Sequence, residues 1–253
     1  LNNLENGKES TICKLCNEVS KIIVIFLNYV VTKFGPIAIF MLLCRTFATY
    51  GIDYLKPAIA YVLLCVALLL AYLLIGYPFY VAVFAKLNPI TFIKKMVKVM
   101  LFGFSTSSSA ATLPLNIDTT TKELGVDHQI ASFVLPLGMT INMDGTAIMQ
   151  GVAVVFAAQA FGIDLGIQEY LMVIATATLA SIGTAGVPGV GLITLSMVFN
   201  SVGLPLEGIT LIMGIDRILD MTRTAVNITG DAVCTTVVAH QNGELDRDVF
   251  NQN

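Results

Sequence analysis

From residue 17 onward the chain alternates long apolar stretches with short polar connections. Positions 57–85 carry no Asp, Glu, Lys or Arg over 29 residues, and positions 170–206 carry none over 37. A bilayer core about 30 Å thick is crossed by about 20 residues of helix, so the first window predicts one spanning helix over 54–86. Residues 17–49, with Lys21 and Lys33, predict another. The second window is too long, and too rich in Gly and Pro, for a single span.

Two segments break the helical pattern at membrane depth. Within 97–117 the run FSTSSSAATLP is a hydroxyl cluster closed by a proline, and within 170–206 the run ASIGTAGVPGVG is a glycine cluster around a proline. Irregular backbone inside a membrane is tolerated only where protein or a cavity covers it. Each segment therefore predicts a re-entrant helical hairpin, over 88–125 and 167–206. A long helix carrying a short polar phrase follows each hairpin: 128–160 with NMDGTA, and 209–240 with NITGDA. Lys86, Lys94, Lys95 and Lys98 mark the connection before the first hairpin as cytoplasmic. The acidic connections FGIDLGIQEY and GLPLEGIT mark the opposite face. The hairpins thus enter from opposite sides, an inverted repeat of the kind that places a binding site near the midplane. The expected fold is an all-α integral membrane protein, with a polar loop at 1–16 and a polar tail at 242–253.

Composition agrees. The chain is 56% hydrophobic and 12% charged, with a mean hydropathy of +0.80, where a soluble domain is about 25% charged. A net charge of −3 on so apolar a chain gives no reason to expect nucleic acid as a partner. Cys44, Cys65 and Cys234 read as small buried hydrophobes. Cys13 and Cys16 form a CxxC without a second pair or a nearby His, which favours coincidence over zinc. The opening LNNLENGKES has neither an initiator Met nor a signal peptide, and reads as a start partway into a longer parent.

The chemistry concentrates in the last long helix. Asp216, Asp220, Arg223, Asn227 and Asp231 are spaced four, three, four and four apart, which confines them to an arc of roughly 80° at 3.6 residues per turn. Thr224 lies beside them. An amphipathic surface helix shows the same spacing, but this one follows a charge-free segment and has few polar residues off the stripe. Ionisable groups inside a membrane bundle usually mark a pathway or a site. Arg223 offers a planar fork for a carboxylate, and Asp220 an acceptor for an ammonium. The two could also pair with each other, being one turn apart. A ligand with an amine and a second carboxylate, such as an acidic amino acid, satisfies both.

Anions also favour helix N-termini, which the tips around Ser107, Ser108 and Ser109 and around Gly183, Thr184, Ala185 and Gly186 would expose. Cations need hard oxygens. NMDGTA offers Asn142, Asp144 and a glycine that weakens the helix; NITGDA offers Asn227, Gly230 and Asp231. Asn227-Ile-Thr229 also fits a glycosylation sequon, a chance match on a buried stripe.

The runs TSSSAATLP, LPLGMTINMDGTA, ASIGTAGVPG and DRILDMTRTAVNITGDA, in that order, resemble the dicarboxylate/amino acid:cation symporters, the glutamate and aspartate transporter family. The resemblance extends from about residue 17. It implies an elevator mechanism in a homotrimer of the full-length parent at the plasma (cell inner) membrane, with 17–50 a scaffold-type helix and 51–241 a mobile transport domain. It also implies that Ser108, Ser109, Val187, Gly191 and Thr146 contact substrate. Asp220 would bind the amino group, Arg223 the side-chain carboxylate, and Thr224 and Asn227 the α-carboxylate. Sodium would be held by Gly138, Asn142, Asn227 and Asp231, by Thr140, Ser181, Ile182 and Thr184, and by Asn142 with Asp144. The second hairpin would gate the site, and no organic cofactor is implied.

Having both Asp220 and Arg223 points, by the resemblance, to L-aspartate or L-glutamate over neutral amino acids and C4-dicarboxylates. Gln150 stands where proton-coupled animal members have a glutamate, which favours plain sodium coupling. Ser107 and Met221 stand where an arginine is frequent. The resemblance also implies four earlier helices, so the chain reads as a fragment. The alternatives are a C4-dicarboxylate or proton-coupled symporter, a channel lined by the polar stripe, and a non-transporting remnant. An enzyme is not expected: neither His128 nor His240 lies in the site, and no nucleophile has a base at recognisable spacing.

Overall fold

The computed structural model describes residues 55–252 apart from Ala185, together with scattered positions between 15 and 51. The chain forms two compact units, Leu1–Ile52 and Asp53–Asn253. The polar loop expected over 1–16, apart from a helical Leu15, and most of the helix expected over 17–50 lie outside the described residues. Those described between 15 and 48 are helical. The second unit is helical among its described residues, apart from one isolated bridge between Val126 and Leu245.

Helix α1 begins at Leu55–Ala71 and continues through π-helical turns at Tyr72–Gly76 and Val81–Ala85, on either side of Tyr77–Tyr80. Pro78 lies between these turns and has no N–H to give the ladder. The widened turns restore bonding with five-residue steps, Tyr77 N–H to Tyr72 O and Lys86 N–H to Val81 O. Most of α1 faces outward: Ile59, Leu63, Leu64, Leu68, Leu74 and Ile75 are exposed. Hydrocarbon covers such a surface without penalty, whereas water does not. The stretches Lys56–Ala85 and His128–Ala160 are both long and apolar enough to cross a membrane.

Asn88 caps α2 (Pro89–Thr106), with its side chain accepting from Ile90 and Thr91 N–H and Pro89 preset at the first helical position. Ser107 ends α2 in the left-handed region, at φ 51°. Ser108 then caps α3 (Ser109–Lys122), accepting from Ala111 N–H. A two-residue reversal thus folds α3 back on α2. A second pair, α6 (Ile167–Ser181) and α7 (Val190–Ser201), packs together in the same way across the glycine-rich turn. Between the pairs run α4 (His128–Ile141) and α5 (Asp144–Ala160), capped at the start by Asp127 and interrupted at Asn142–Met143.

The last long segment divides into α8 (Glu207–Met213) and α9 (Asp216–Asn242). Helix α9 packs against α1, α2, α3, α4 and α5, and is buried at every position from Thr222 to Val233. It is a core helix, not the one-faced helix that its stripe suggests. NITGDA was expected to loosen the backbone, yet α9 passes through it unbroken; only NMDGTA interrupts its helix.

The expected polar tail is part of the fold. Helix α10 (Arg247–Asn251) buries Phe250 completely, and Lys95 Nζ donates to the carbonyls of Glu123, Val249 and Phe250 at 2.9, 3.2 and 2.8 Å. Cys65 is buried, but Cys44 and Cys234 are exposed, contrary to expectation; Cys13 and Cys16 lie outside the described residues.

Candidate functional site

The buried threonines of α9 show which of its polar groups need outside partners. Thr222, Thr224, Thr229, Thr235 and Thr236 each donate to the carbonyl four residues earlier, so their hydroxyls are satisfied within the helix. Asp220, Arg223, Asn227 and Asp231 have no such recourse. They are 3–4% exposed, and a buried charge is costly unless paired.

Arg223 Nη2 donates to Asp220 Oδ1, three residues back, while Nη1 is buried with no partner among the described residues. The other oxygen of Asp220 accepts from Gly189 N–H, at 3.2 Å, in the turn between α6 and α7. Asp216, on the same stripe, leaves Oδ1 without a partner among the described residues. Gly191 fits under the guanidinium, where a β-carbon would stand 1.8 Å from Nη1.

The two polar phrases interlock. Asn142 Nδ2 donates to Asp231 Oδ1 at 3.2 Å, from the first phrase to the second. Asn227 Oδ1 accepts from Gly145 N–H at 2.8 Å, and its Nδ2 donates to Thr146 Oγ1 and Met143 Sδ, each at 3.2 Å. The glycines are fitted to this contact. A β-carbon on Gly138 would lie 2.7 Å from Asp231 Oδ1, and one on Gly145 would lie 2.9 Å from the Arg223 carbonyl. Gly230 has the phenol of Tyr77 against it, 2.4 Å from where a β-carbon would stand. It makes room for a side chain; it does not loosen the helix.

The turns between α2 and α3 and between α6 and α7 meet over this layer. The Gly186 carbonyl accepts from Ser108 Oγ at 3.0 Å and from Ala110 N–H at 3.1 Å, and Gly183 N–H donates to the Thr140 carbonyl at 2.8 Å. Beneath lies a cavity of ≈ 10 Å³, room for about one water. Of the residues expected to touch substrate, Ser109, Thr146, Val187, Gly191, Asp220, Arg223, Thr224 and Asn227 line it. Ser108 does not, because its hydroxyl is turned to Gly186. The N-terminal turns of α3, α5 and α7 all contribute lining residues, so the positive ends of three helix dipoles favour negative charge there.

The expected sodium ligands fall into separate places. Gly138, Asn142 and Asp231 are in contact, whereas Asn227 bonds to the start of α5. The hydroxyls of Thr140, Ser181 and Thr184 bond carbonyls of their own segments, at 2.9, 2.8 and 2.7 Å, and the side chain of Ile182 is half exposed. Ala185 of the second tip lies outside the described residues. Asp144 faces α1 and accepts from Tyr72 and Tyr77 hydroxyls at 3.2 and 3.1 Å. Neither tyrosine stands out in a charge-free window. Met143 and Gly186, also in the lining, carry no side-chain signal of polarity.

Apolar helix faces turned outward, with a guanidinium, carboxylates and amides shut in around a small polar cavity, define a helical integral membrane protein. The chain belongs to the sodium:dicarboxylate symporter family, whose profile matches residues 1–241. It is therefore a member of a family of sodium-coupled transporters, not of enzymes. It is 43% identical over 184 residues to a putative sodium-dependent excitatory amino acid transporter, glt-4, of Caenorhabditis elegans, covering 73% of this chain and 37% of that protein. It is 46% identical over 155 residues to excitatory amino acid transporter 5 of Homo sapiens, covering 61% and 28%. With excitatory amino acid transporter 3 of Mus musculus it shares 46% over 165 residues, covering 65% and 32%. The chain thus spans about a third of the length of the curated relatives it matches.

Proposed function

We propose that this chain carries the substrate and ion sites of a secondary symporter that couples sodium entry to uptake of an acidic amino acid, L-aspartate or L-glutamate. The observation that carries this reading is the buried Asp220–Arg223 pair, facing the polar cavity under the α2–α3 and α6–α7 turns. A ligand carboxylate can take the unpartnered Nη1 and then displace Asp220 from Nη2. Asp220, released, accepts from the ligand ammonium. The amide of Asn227 lies beside them for the α-carboxylate, as does the hydroxyl of Thr224 once it turns from the Asp220 carbonyl; Ser109, Thr146, Val187 and Gly191 complete the contacts from the lining, and Ser108 joins them when its hydroxyl leaves Gly186.

An amino acid is several times larger than the cavity, so one wall must open. The α6–α7 turn is attached there through a few hydrogen bonds of Gly183, Gly186 and Gly189, which favours it as the gate. The α2–α3 and α6–α7 pairs are read as re-entrant hairpins of an inverted repeat, in a transport domain that moves as an elevator within a homotrimer at the plasma membrane. Sodium would be held by Gly138, Asn142, Asn227 and Asp231, by Thr140, Ser181, Ile182 and Thr184 where the α6–α7 turn crosses α4, and by Asn142 with Asp144. The donor chemistry suits a hard monovalent cation: amides, carbonyls and single carboxylates.

Calorimetry of L-aspartate binding to the detergent-purified chain, in sodium and then in choline, tests the reading. Binding should require sodium and vanish in Arg223→Ala. Equal binding in choline, or unchanged binding by Arg223→Ala, would reject it.

A further inference from the structure

Tyr72 and Tyr77, inconspicuous in an apolar window, both end on one carboxylate oxygen. Residues five apart on an α-helix point about 140° away from each other. The π-helical turn Tyr72–Gly76 reduces that divergence, because its wider turn, with bonds closing at five residues, takes up more of the chain per revolution. The two rings consequently meet edge to face, with centroids 4.8 Å apart. Their hydroxyls donate to the same oxygen, Asp144 Oδ2, at 3.2 and 3.1 Å. A carboxylate oxygen has two lone-pair directions, so this one is filled. Tyr77 is 2% exposed, and its phenol occupies the space that Gly230 leaves open. The arrangement thus draws on a helix distortion in α1, a glycine in α9 and the first residue of α5.

We propose that Tyr72 and Tyr77 are positioning residues that compete with the coupling cation for Asp144, and so weaken the ion's hold on that carboxylate. The inference rests on the proposed ion role of Asp144. In the absence of a cation, the phenols satisfy a carboxylate in apolar surroundings that would otherwise be left unpaired. A cation that takes Oδ2 meets lone pairs that are already occupied, and one that takes Oδ1 meets a carboxylate whose charge the two phenols already stabilise. Hydrogen bonds to a charged acceptor are individually strong, so part of the cation's attraction goes into replacing them. A transported ion has to leave as well as enter, and a built-in competitor serves release.

The test follows sodium alone, so that it does not depend on the amino acid. The thermal unfolding of the purified chain is recorded against sodium concentration, with choline holding ionic strength constant, for wild type and for Tyr72→Phe/Tyr77→Phe. The phenylalanines keep the rings and remove only the hydroxyls. The sodium concentration for half-maximal stabilisation should fall about tenfold in the double variant, the effect of roughly one charged hydrogen bond. In an Asp144→Asn background the same two substitutions should shift nothing. With no tryptophan and eight tyrosines in the chain, sodium should also produce a tyrosine difference spectrum in wild type that the double variant reduces. An unchanged or higher half-maximal concentration, or the same shift with Asp144→Asn, would overturn the competition while leaving the symporter reading intact. A wild-type chain that sodium does not stabilise would overturn both the ion role of Asp144 and the competition. Sodium-dependent stabilisation without aspartate binding would count against the substrate assignment alone.

Discussion

Gly191 leaves no room for a β-carbon beneath Arg223: an added methyl would stand 1.8 Å from Nη1 and 2.4 Å from Cζ. The guanidinium can lie along the α6–α7 turn only because that residue is glycine. Gly191→Ala should therefore push the guanidinium aside and weaken L-aspartate binding at least about tenfold, one misplaced charged hydrogen bond. Calorimetry in sodium checks this, and circular dichroism should show the helical content unchanged.

Asp220 separates the leading reading from its nearest alternative. In Asp220→Asn the acceptor for an ammonium loses its charge while Arg223 remains. L-Aspartate binding should fall by about a hundredfold or more, since a buried charge pair has lost one partner. Competition with succinate distinguishes the two readings. A C4-dicarboxylate carrier would retain succinate binding in the variant, whereas the amino acid symporter should bind succinate poorly both before and after the change.

The contact between the polar phrases should support folding as well as the proposed ion binding. Asn142→Ala removes the donor to Asp231 Oδ1 and leaves a buried carboxylate oxygen without that partner. Unfolding in a sodium-free buffer should show a loss of about 1–3 kcal/mol. The sodium concentration needed for aspartate binding should rise. A stability loss without any change in sodium dependence would assign Asn142 to structure alone.

The C-terminal segment is expected to behave as core. Phe250→Ala should cost about 3–5 kcal/mol, as for other fully buried aromatic side chains. Lys95→Met, which keeps the stem and removes the ammonium, should cost about 1.5–3 kcal/mol by leaving three carbonyls without their shared donor. Thermal unfolding measures both, and proteolysis after residue 242 should accelerate in each variant.

Much of this arrangement is visible in the chain itself, because the physics that forms it is local. Asn88-Pro89 starts a helix, and Ser107-Ser108 ends one and caps the next. The steps from Asp216 to Asp231 place those side chains in one line. What escapes the sequence is who meets whom. Periodicity gives a face and not its partner, so nothing in NMDGTA or NITGDA announces that Asn142 reaches Asp231 or that Asn227 caps the start of α5. Glycine is ambiguous in the same way: Gly230 reads as a weak point in a helix and proves to be space for Tyr77. The burial of α9 on all sides was hidden because its threonines look polar while bonding their own helix. The segment after residue 242 reads as a tail because its one large apolar anchor, Phe250, stands among charged residues.

The seam between Gly125–Asp127 and Glu244–Asp246, with its paired backbone bonds, bears on the order of events during synthesis. Its two sides are separated by roughly 120 residues, a closure whose entropic cost is met only when both are present. The α2–α3 pair is made early, but the strip that covers its exit is made roughly 120 residues later. Until the residues around Phe250 emerge, the apolar socket beneath Lys95 stays open in the growing chain. Maturation of this unit is therefore tied to the completion of translation through residue 250, and a nascent chain stalled before that point would offer that socket to chaperones or proteases.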